Sequence, residues 1–442
     1  MGKRKIIYTL LIIISALSGF TIHKDSLDNG LAIFSSEAHK IPMVEIRLVV
    51  KAGSILDPTG KEGLANLTAQ MLLRGTTIHS GNEFLEEIEY LGANINVQVD
   101  EDYAVISARV LSKDLEKILA LIAECVQKPA FKVEELKRLQ RQIYSQLLSQ
   151  NDDPFYAGMV AFRKLLFGRH PLNHEPLGFD STVSQITIDD VNQFFTTYYL
   201  PNNAFIVTVG DFIPDSLRVI IERYFAAWVR KPLPVFHCPL LKLTGKKAWL
   251  IKRDISQSYI FLGLLGPDYR VPDWIPTRIM NYILGGSGLT SRLATEIREK
   301  RGLAYSIFSY FERFTQGGYF LTTVQTRNES ANEAVELILQ EIQRIGNDIK
   351  EEELNRAKRF YTGNFPLNFD TYREMANFIT RLEIEGLGLD YGERFERLIN
   401  EVKIEDVQKV AKKYLQLNDF CLVVVGNIDE SEIKVEDLEW LK

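Results

Sequence analysis

Residues 188–210 read IDDVNQFFTTYYLPNNAFIVTVG, and residues 404–426 read IEDVQKVAKKYLQLNDFCLVVVG. The two stretches align without a gap, so that Tyr198 pairs with Tyr414 and Gly210 with Gly426. A repeat seen twice, far apart in a chain of 442 residues, predicts two similar domains and not a short-period solenoid.

Each repeat lies near the C-terminal end of a predicted domain, and the two predicted domains are residues 26–231 and 247–430. Residues 232–246 are the predicted linker, because three prolines, Pro232, Pro234 and Pro239, interrupt any regular structure there.

Each half combines strand patterns with long helix patterns. Residues 43–51 read as a strand, because the side chains alternate up to Leu48 before the apolar pair Val49-Val50, and residues 93–110 contain two further strand-like runs. Asp114 and Asp189 are predicted helix starts. This mixture predicts an α+β class. Helices are predicted at residues 112–128, 133–151, 155–167, 328–348, 350–363 and 370–387.

Residues 65–76 read ANLTAQMLLRGT. Leu64, Leu67 and Met71 fall on one stripe of a helix, so an amphipathic core helix explains the stretch without any chemistry. The frame also resembles the zinc-binding helix of the pitrilysin/insulinase family of metallopeptidases, whose signature is H-x-x-E-H. Asn66 and Gln70 stand at its two histidine slots, and Ala69 stands at the glutamate slot.

An H-x-x-E-H helix binds zinc through two histidines on one face, while its glutamate activates the zinc-bound water. Amide side chains are poor zinc ligands, and an alanine accepts no proton. In the family a further glutamate ligand lies downstream, and aligning on Asp153-Pro154 puts Gln146 at that slot. The resemblance therefore implies that this chain binds no catalytic zinc.

Residues 284–308 read LGGSGLTSRLATEIREKRGLAYSIF. This stretch resembles the signature of the family's second half, in which an arginine and a tyrosine hold the substrate or the tetrahedral intermediate. The matching residues are Arg298 and Tyr305. A guanidinium and a phenol both donate hydrogen bonds to a peptide carbonyl or an oxyanion. The alternative is a solvated arginine and a half-buried strand tyrosine.

The same stretch is rich in glycine. Gly285, Gly286 and Gly288 allow tight backbone geometry. They would either shape a substrate-binding loop or only turn the chain.

The resemblance implies two homologous domains, each a mostly antiparallel sheet packed against a layer of helices, which enclose a cavity. In this family some chains carry the zinc site, others carry the Arg/Tyr pair, and the two kinds share one active site. The implied function is a non-catalytic, substrate-binding subunit of a heterodimeric zinc endopeptidase that is inactive alone. Its partner would be a homologous subunit that carries the zinc, and its substrate a peptide or an unfolded protein. The alternative is a proteolytically inactive scaffold or peptide-binding protein of the same fold.

The chain opens with MGKRK, followed by an apolar run from Ile6 to Leu17. Ala16 and Ser18 fit a cleavage site, so residues 1–19 are a predicted signal peptide, with an uncleaved anchor as the alternative. We expect an exported protein that is free of the membrane after cleavage, and periplasmic if the source is Gram-negative.

The remaining composition excludes several other function classes. A net charge of −6 and a pI near 5.7 give no footprint for nucleic acid. The three cysteines, Cys125, Cys238 and Cys421, lack C-x-x-C spacing and leave at least one thiol unpaired. His170 and His174 have metal-ligand spacing, but Pro171 between them disfavours the helix that a metal pair would need.

Overall fold

The computed structural model describes residues 11–14 and 21–441. The predicted signal peptide, residues 1–19, lies outside the described residues except for one short strand, Leu11–Ile14.

The first sheet has seven strands in the order β1-β2-β3-β7-β4-β6-β5. Its neighbours run antiparallel except for the parallel pair β3 and β7. The strands are β1 Leu11–Ile14, β2 Thr21–Ser26, β3 Ala32–Glu37, β4 Met43–Val50, β5 Asn94–Val99, β6 Ala104–Leu111 and β7 Ala204–Gly210.

The first half of the chain also forms eight helices within the described residues. They are α1 Leu64–Met71, α2 Gly81–Tyr90, α3 Leu115–Gln127, α4 Val133–Asn151, α5 Pro154–Phe167, α6 Asp180–Val183, α7 Ile188–Tyr198 and α8 Pro214–Phe225.

The second sheet has six strands in the order β10-β11-β9-β12-β8-β13, with β8 parallel to both β12 and β13. The strands are β8 Lys246–Lys252, β9 Gln257–Leu265, β10 Ala304–Phe314, β11 Gly317–Arg327, β12 Phe420–Gly426 and β13 Leu438–Leu441. The helices are α9 Trp274–Asn281, α10 Ala331–Ile345, α11 Glu351–Asn364, α12 Tyr372–Ile384, α13 Tyr391–Glu401 and α14 Ile404–Tyr414, with π-helical turns at Tyr282–Gly286 and Ala294–Lys300.

The repeat noticed in the sequence corresponds to one structural motif in each half. Helix α7 and strand β7 have the same lengths as helix α14 and strand β12, and the gapless alignment pairs their ends. Two mostly antiparallel sheets, each with its own helices, confirm the predicted α+β class and the two similar halves.

The described chain forms two compact units that are not continuous in sequence. The first contains the residues up to Ile143 together with Ser181–Phe236 and Pro366–Arg394, and so includes α12. The second contains Tyr144–Asp180, His237–Phe365 and Phe395–Lys442, and so includes α5. Each unit thus includes one complete helix from the other half, with part of α4 in the second unit and part of α13 in the first. The domain boundaries at residues 231 and 247 stay a prediction.

Glycines permit the close packing of α5 in the second unit. A Cβ atom at Gly158 would lie 2.1 Å from the Phe261 ring, and one at Gly263 would lie 2.3 Å from the Phe162 ring. Larger residues at either position would collide with an aromatic ring, because protein interiors are close-packed.

Within the described residues, none of the helices combines the length and the apolar composition that crossing a bilayer requires. Cys125 and Cys421 are buried, and none of the three cysteines forms a disulfide.

Candidate functional site

Helix α1 carries the residues at the predicted zinc slots, and its first turn is fixed by a carboxylate. The Asp57 side chain accepts hydrogen bonds from the backbone N–H groups of Gly63 and Ala65, both at 2.7 Å. A carboxylate at this end also suits the positive pole of the helix dipole. Asn66 and Ala69 are both buried on this helix.

Gln70, at the second histidine slot, has a structural contact. Its Nε2 donates a hydrogen bond to the carbonyl oxygen of Val97 at 3.2 Å, which ties α1 to the edge strand β5. Ala69 is fully buried, so no side chain is present there to act on a water molecule. The helix therefore has a packing role at the positions where a peptidase would need ligands and a base.

The fourth predicted slot, Gln146, is exposed on α4. Among the described residues, no group of three or more His, Cys, Asp or Glu side chains could hold a metal ion.

Arg298 and Tyr305 lie close together in the second unit. Arg298 lies in the π-helical turn Ala294–Lys300, which ends before Gly302 reverses the chain with φ +62°. Tyr305 follows on β10, and the guanidinium carbon of Arg298 lies 5.7 Å from the centroid of its ring. The chain reversal therefore brings together two side chains that are seven residues apart.

Tyr305 has a local backbone that differs from the rest of β10. This strand is an edge of the second sheet, and its pairing with β11 shifts register between Ala304 and Ile307. Irregularities of this kind re-aim side chains and recur beside active sites. The Tyr305 side chain is 88% exposed, so its hydroxyl is accessible to another molecule.

Arg298 also differs from its basic neighbours in charge pairing. Within the described chain, no acidic side chain lies within ion-pair distance of Arg298, and its observed partner is the Tyr305 ring. The other basic residues of the segment are each paired with an acid: Arg292 with Glu353, Lys300 with Glu296 and Arg301 with Glu333. Arg298 thus keeps hydrogen-bond donors and a full charge for a ligand.

Packing accounts for two of the three predicted glycines. A Cβ atom at Gly285 would lie 2.4 Å from the Ser309 hydroxyl, and one at Gly286 would lie 2.7 Å from Asn281 Nδ2. Gly288 has φ +62°, in the left-handed region that favours glycine. The three glycines turn the chain tightly beside β10, and a direct substrate contact from them stays a prediction.

A cysteine–histidine pair in the second unit has a geometry that argues against nucleophilic catalysis. Cys238 Sγ lies 2.8 Å from His170 Nε2, but His170 Nδ1 accepts a hydrogen bond from the Leu172 N–H at 3.1 Å. The neutral ring must then carry its proton on Nε2, so it donates to the sulfur and is not a base for the thiol. Burial also lowers the His170 pKa to about 4 and raises the pKa of Cys238.

Sequence reasoning missed a group of arginines in the first unit. Arg47, Arg109 and Arg373 surround the buried carboxylate of Glu45. The available signal was the alternation in residues 43–51, which puts Glu45 and Arg47 on one face of a strand. The remaining members come from other elements and could not be grouped without the fold.

Comparison with known proteins gives a consistent result. Residues 32–163 match the family model described as "Insulinase (Peptidase family M16)", and residues 185–361 match the one described as "Peptidase M16 inactive domain". A protein of Rickettsia bellii named "Uncharacterized zinc protease" is 27% identical over 91% of this chain and 97% of its own length. The Helicobacter pylori protein named "Non-peptidase homolog YmxG" is 25% identical over 96% and 99%, respectively.

A solved structure extends this similarity to three dimensions. The crystal structure of a peptidase M16 inactive domain from Pseudomonas fluorescens matches with a TM-score of 0.86 at 29% sequence identity. The match covers 92% of this chain and 98% of that one.

Proposed function

This chain belongs to the insulinase family, peptidase family M16, and we propose that it is the non-catalytic, substrate-binding subunit of a two-chain zinc endopeptidase. The family matches support an inactive M16-like protein as the coarser description. In the proposal, a homologous partner chain with an intact H-x-x-E-H motif supplies the zinc and the general base. This chain binds no zinc and is inactive alone.

The observation that carries the proposal is the pairing of Arg298 with the exposed Tyr305 on an edge strand. A fixed positive charge that no described acid pairs with would stabilise the oxygen that becomes negative when a peptide carbonyl is attacked. The Tyr305 hydroxyl would donate a second hydrogen bond to the same oxygen or to the peptide backbone. The partner would deliver the zinc-bound water.

The proposal includes the cellular location. We propose that residues 1–19 direct export, and that the complex acts on peptides or unfolded proteins in the periplasm of a Gram-negative source.

The test starts from affinity purification of this chain from its native cells, followed by peptide hydrolysis with the chain that co-purifies. We expect a partner of similar size with H-x-x-E-H, and hydrolysis only when both chains are present. Arg298→Ala should lower kcat/KM about a hundredfold, the magnitude for loss of one oxyanion donor. Tyr305→Phe keeps the ring beside Arg298 and removes only the hydroxyl.

Arg301→Ala is the matched control, because Arg301 belongs to the same segment but pairs with Glu333 at 2.8 Å. If Arg298→Ala and Tyr305→Phe leave hydrolysis at the level of this control, the scaffold or peptide-binding alternative replaces the proposal. Stoichiometric zinc and peptide cleavage by the purified chain alone would refute it.

A further inference from the structure

A polar pocket lies on one face of the first sheet, beside the start of helix α12. It has a volume of about 570 Å³ and is lined by residues of β4, β5, β6 and α12. The strand register places its lining residues in rows, since residues directly opposite on neighbouring strands point to the same face. Asn94, Arg109 and Glu45 form one row, and Asn96, Ser107 and Arg47 form the next.

The pocket carries a surplus of positive charge. Glu45 is the sole acid among its lining residues, and it lies near three guanidinium groups. Its carboxylate oxygens are 3.0 Å from Arg109 Nε, 3.8 Å from Arg47 and 4.0 Å from Arg373 Nε. One carboxylate neutralises one guanidinium, so two positive charges remain.

Arg47 is the deepest of the three arginines. Its side chain is 12% exposed, and its Nε is buried without a hydrogen-bond acceptor among the described residues. Burial lowers the pKa of Arg47, and the charge of Arg373 lowers it further. Glu45 and Tyr103 act in the opposite direction, but the pKa is lowered overall. A buried guanidinium keeps its charge, so an acceptor that enters the pocket would satisfy a donor that the described residues leave unsatisfied.

Two further acids, Asp370 and Glu374, line an adjoining groove together with Lys40. That groove shares Glu45, Arg109 and Arg373 with the pocket, so the surplus of positive charge is a property of the pocket lining itself. The rest of the pocket rim is neutral and includes the amide side chains of Asn94, Asn96 and Gln98 on the edge strand β5. Amides both donate and accept hydrogen bonds, as the backbone of a bound peptide requires.

We propose that this pocket binds a carboxylate group of a peptide, either the C-terminal carboxylate or the side chain of an aspartate or glutamate. This inference rests on the proposed function for its ligand class, a peptide, and assigns the subunit a preference for acidic or C-terminal segments. Guanidinium groups bind carboxylates through paired, charge-assisted hydrogen bonds. Arg373, which is 55% exposed, stands at the accessible side of the pocket, and Arg47 stands at its base.

The test measures binding of fluorescein-labelled peptides to the full chain by fluorescence anisotropy. One peptide sequence is used in three forms. The first has a C-terminal acid and a central glutamate. The second has a C-terminal amide in place of the acid, and the third has a glutamine in place of the glutamate. The first form should bind about tenfold more tightly than the form that lacks the recognised carboxylate, as expected for one charge-assisted contact. Weaker binding of the amide form identifies the C-terminal carboxylate as the ligand, and weaker binding of the glutamine form identifies the glutamate side chain.

Two substitutions in the pocket should act in opposite directions. Arg373→Gln should abolish the preference for the acidic form, whereas Glu45→Gln should strengthen it by removing the competing carboxylate. Arg138→Gln is the control, because it removes the same charge from an exposed position on α4, where Arg138 pairs with Glu135. This control should retain the full preference.

Equal affinity for all three peptides, or equal effects of Arg373→Gln and Arg138→Gln, would overturn the pocket assignment. So would an absence of any peptide binding. The proposed function is decided separately by hydrolysis with the partner chain and by Arg298→Ala. If hydrolysis with the partner chain depends on Arg298 but peptide binding shows no acidic preference, the pocket assignment is wrong and the proposed function stands.

Discussion

Arg292 and Arg298 belong to one segment, but we predict opposite consequences when each is replaced by methionine. The Arg292 side chain is 10% exposed and donates hydrogen bonds to Glu353 at 2.7 and 2.6 Å and to Asp348 at 2.5 Å. Removing one member of a buried ion pair costs about 3–5 kcal/mol, because the other charge stays buried without a partner. Since Asp348 is 44% exposed, we expect Arg292→Met to cost about 3 kcal/mol, at the lower end of that range.

The charged contact of Arg298 within the described residues is with the exposed Tyr305 ring, and an exposed cation–π contact contributes about 0.5–1 kcal/mol. In a domain of 150–250 residues, each kcal/mol shifts the unfolding temperature by roughly 2–4 °C. Arg292→Met should therefore lower the melting temperature of the second unit by roughly 6–12 °C, and Arg298→Met by no more than roughly 4 °C. Differential scanning calorimetry measures both.

The two variants should also separate in the hydrolysis assay with the partner chain. At a temperature where both are folded, Arg298→Met should lose activity and Arg292→Met should retain most of it. If Arg298→Met destabilises the chain as strongly as Arg292→Met, then Arg298 is a structural residue and the argument for a substrate role is wrong.

The same ion pair predicts a pH dependence of stability. Burial raises the Glu353 pKa, but the hydrogen bonds from Arg292 and from the Lys350 N–H, with the nearby charges, outweigh it, so the pKa is lowered overall. A carboxyl group with a lowered folded-state pKa stabilises the fold above its unfolded pKa of about 4.3 and loses that contribution as the pH falls through the folded value. The stability difference between the wild type and Arg292→Met should narrow below about pH 4. A difference that is constant from pH 7 to pH 3 would contradict the ion-pair account.

Two further substitutions test the local geometry. Gly285→Ala would bring a Cβ atom to 2.4 Å from the Ser309 hydroxyl and should cost about 1–3 kcal/mol in urea unfolding, whereas Gly363→Ala, in an open position on α11, should stabilise by about 0.5–1 kcal/mol. Equal effects of the two would argue against packing at Gly285. Gln70→Ala should cost about 1 kcal/mol and speed amide hydrogen exchange in β5, because its hydrogen bond to the Val97 carbonyl is lost. Unchanged exchange in β5 would mean that this bond does not hold the edge strand.

Local patterns predicted much of the fold. The helix predicted at residues 133–151 has these bounds in the structure, and the strand predicted at residues 43–51 is β4, Met43–Val50. Asp114 is the N-cap residue of α3, as predicted. Helix α7 starts earlier than Asp189 indicates, because Thr187 is its N-cap residue and Asp190 completes the capping box. Periodicity and capping are properties of neighbouring residues, so a sequence alone can reveal them.

What the sequence could not predict depends on contacts between distant segments. The membership of α5 in the second unit and of α12 in the first depends on such contacts, and no local pattern encodes it. The arginine pocket needs Arg373 from α12 to approach Glu45 on β4, which are remote in the chain. The proximity of Arg298 and Tyr305 was expected from the family resemblance, and spacing alone left it open.

The structure of α1 bears on whether such a chain could regain catalysis by mutation. Restoring histidine at residue 70 would remove the hydrogen bond to Val97, and a glutamate at residue 69 would introduce a carboxylate where the side chain is fully buried. A buried unpaired carboxylate is strongly unfavourable, so these two substitutions would destabilise the fold before a zinc site is complete. Arg298 carries no comparable constraint, since none of the acids in the described part of the chain pairs with its guanidinium and Tyr305 is exposed. This difference between α1 and the Arg298 segment is what the proposed pairing with a zinc-carrying chain requires.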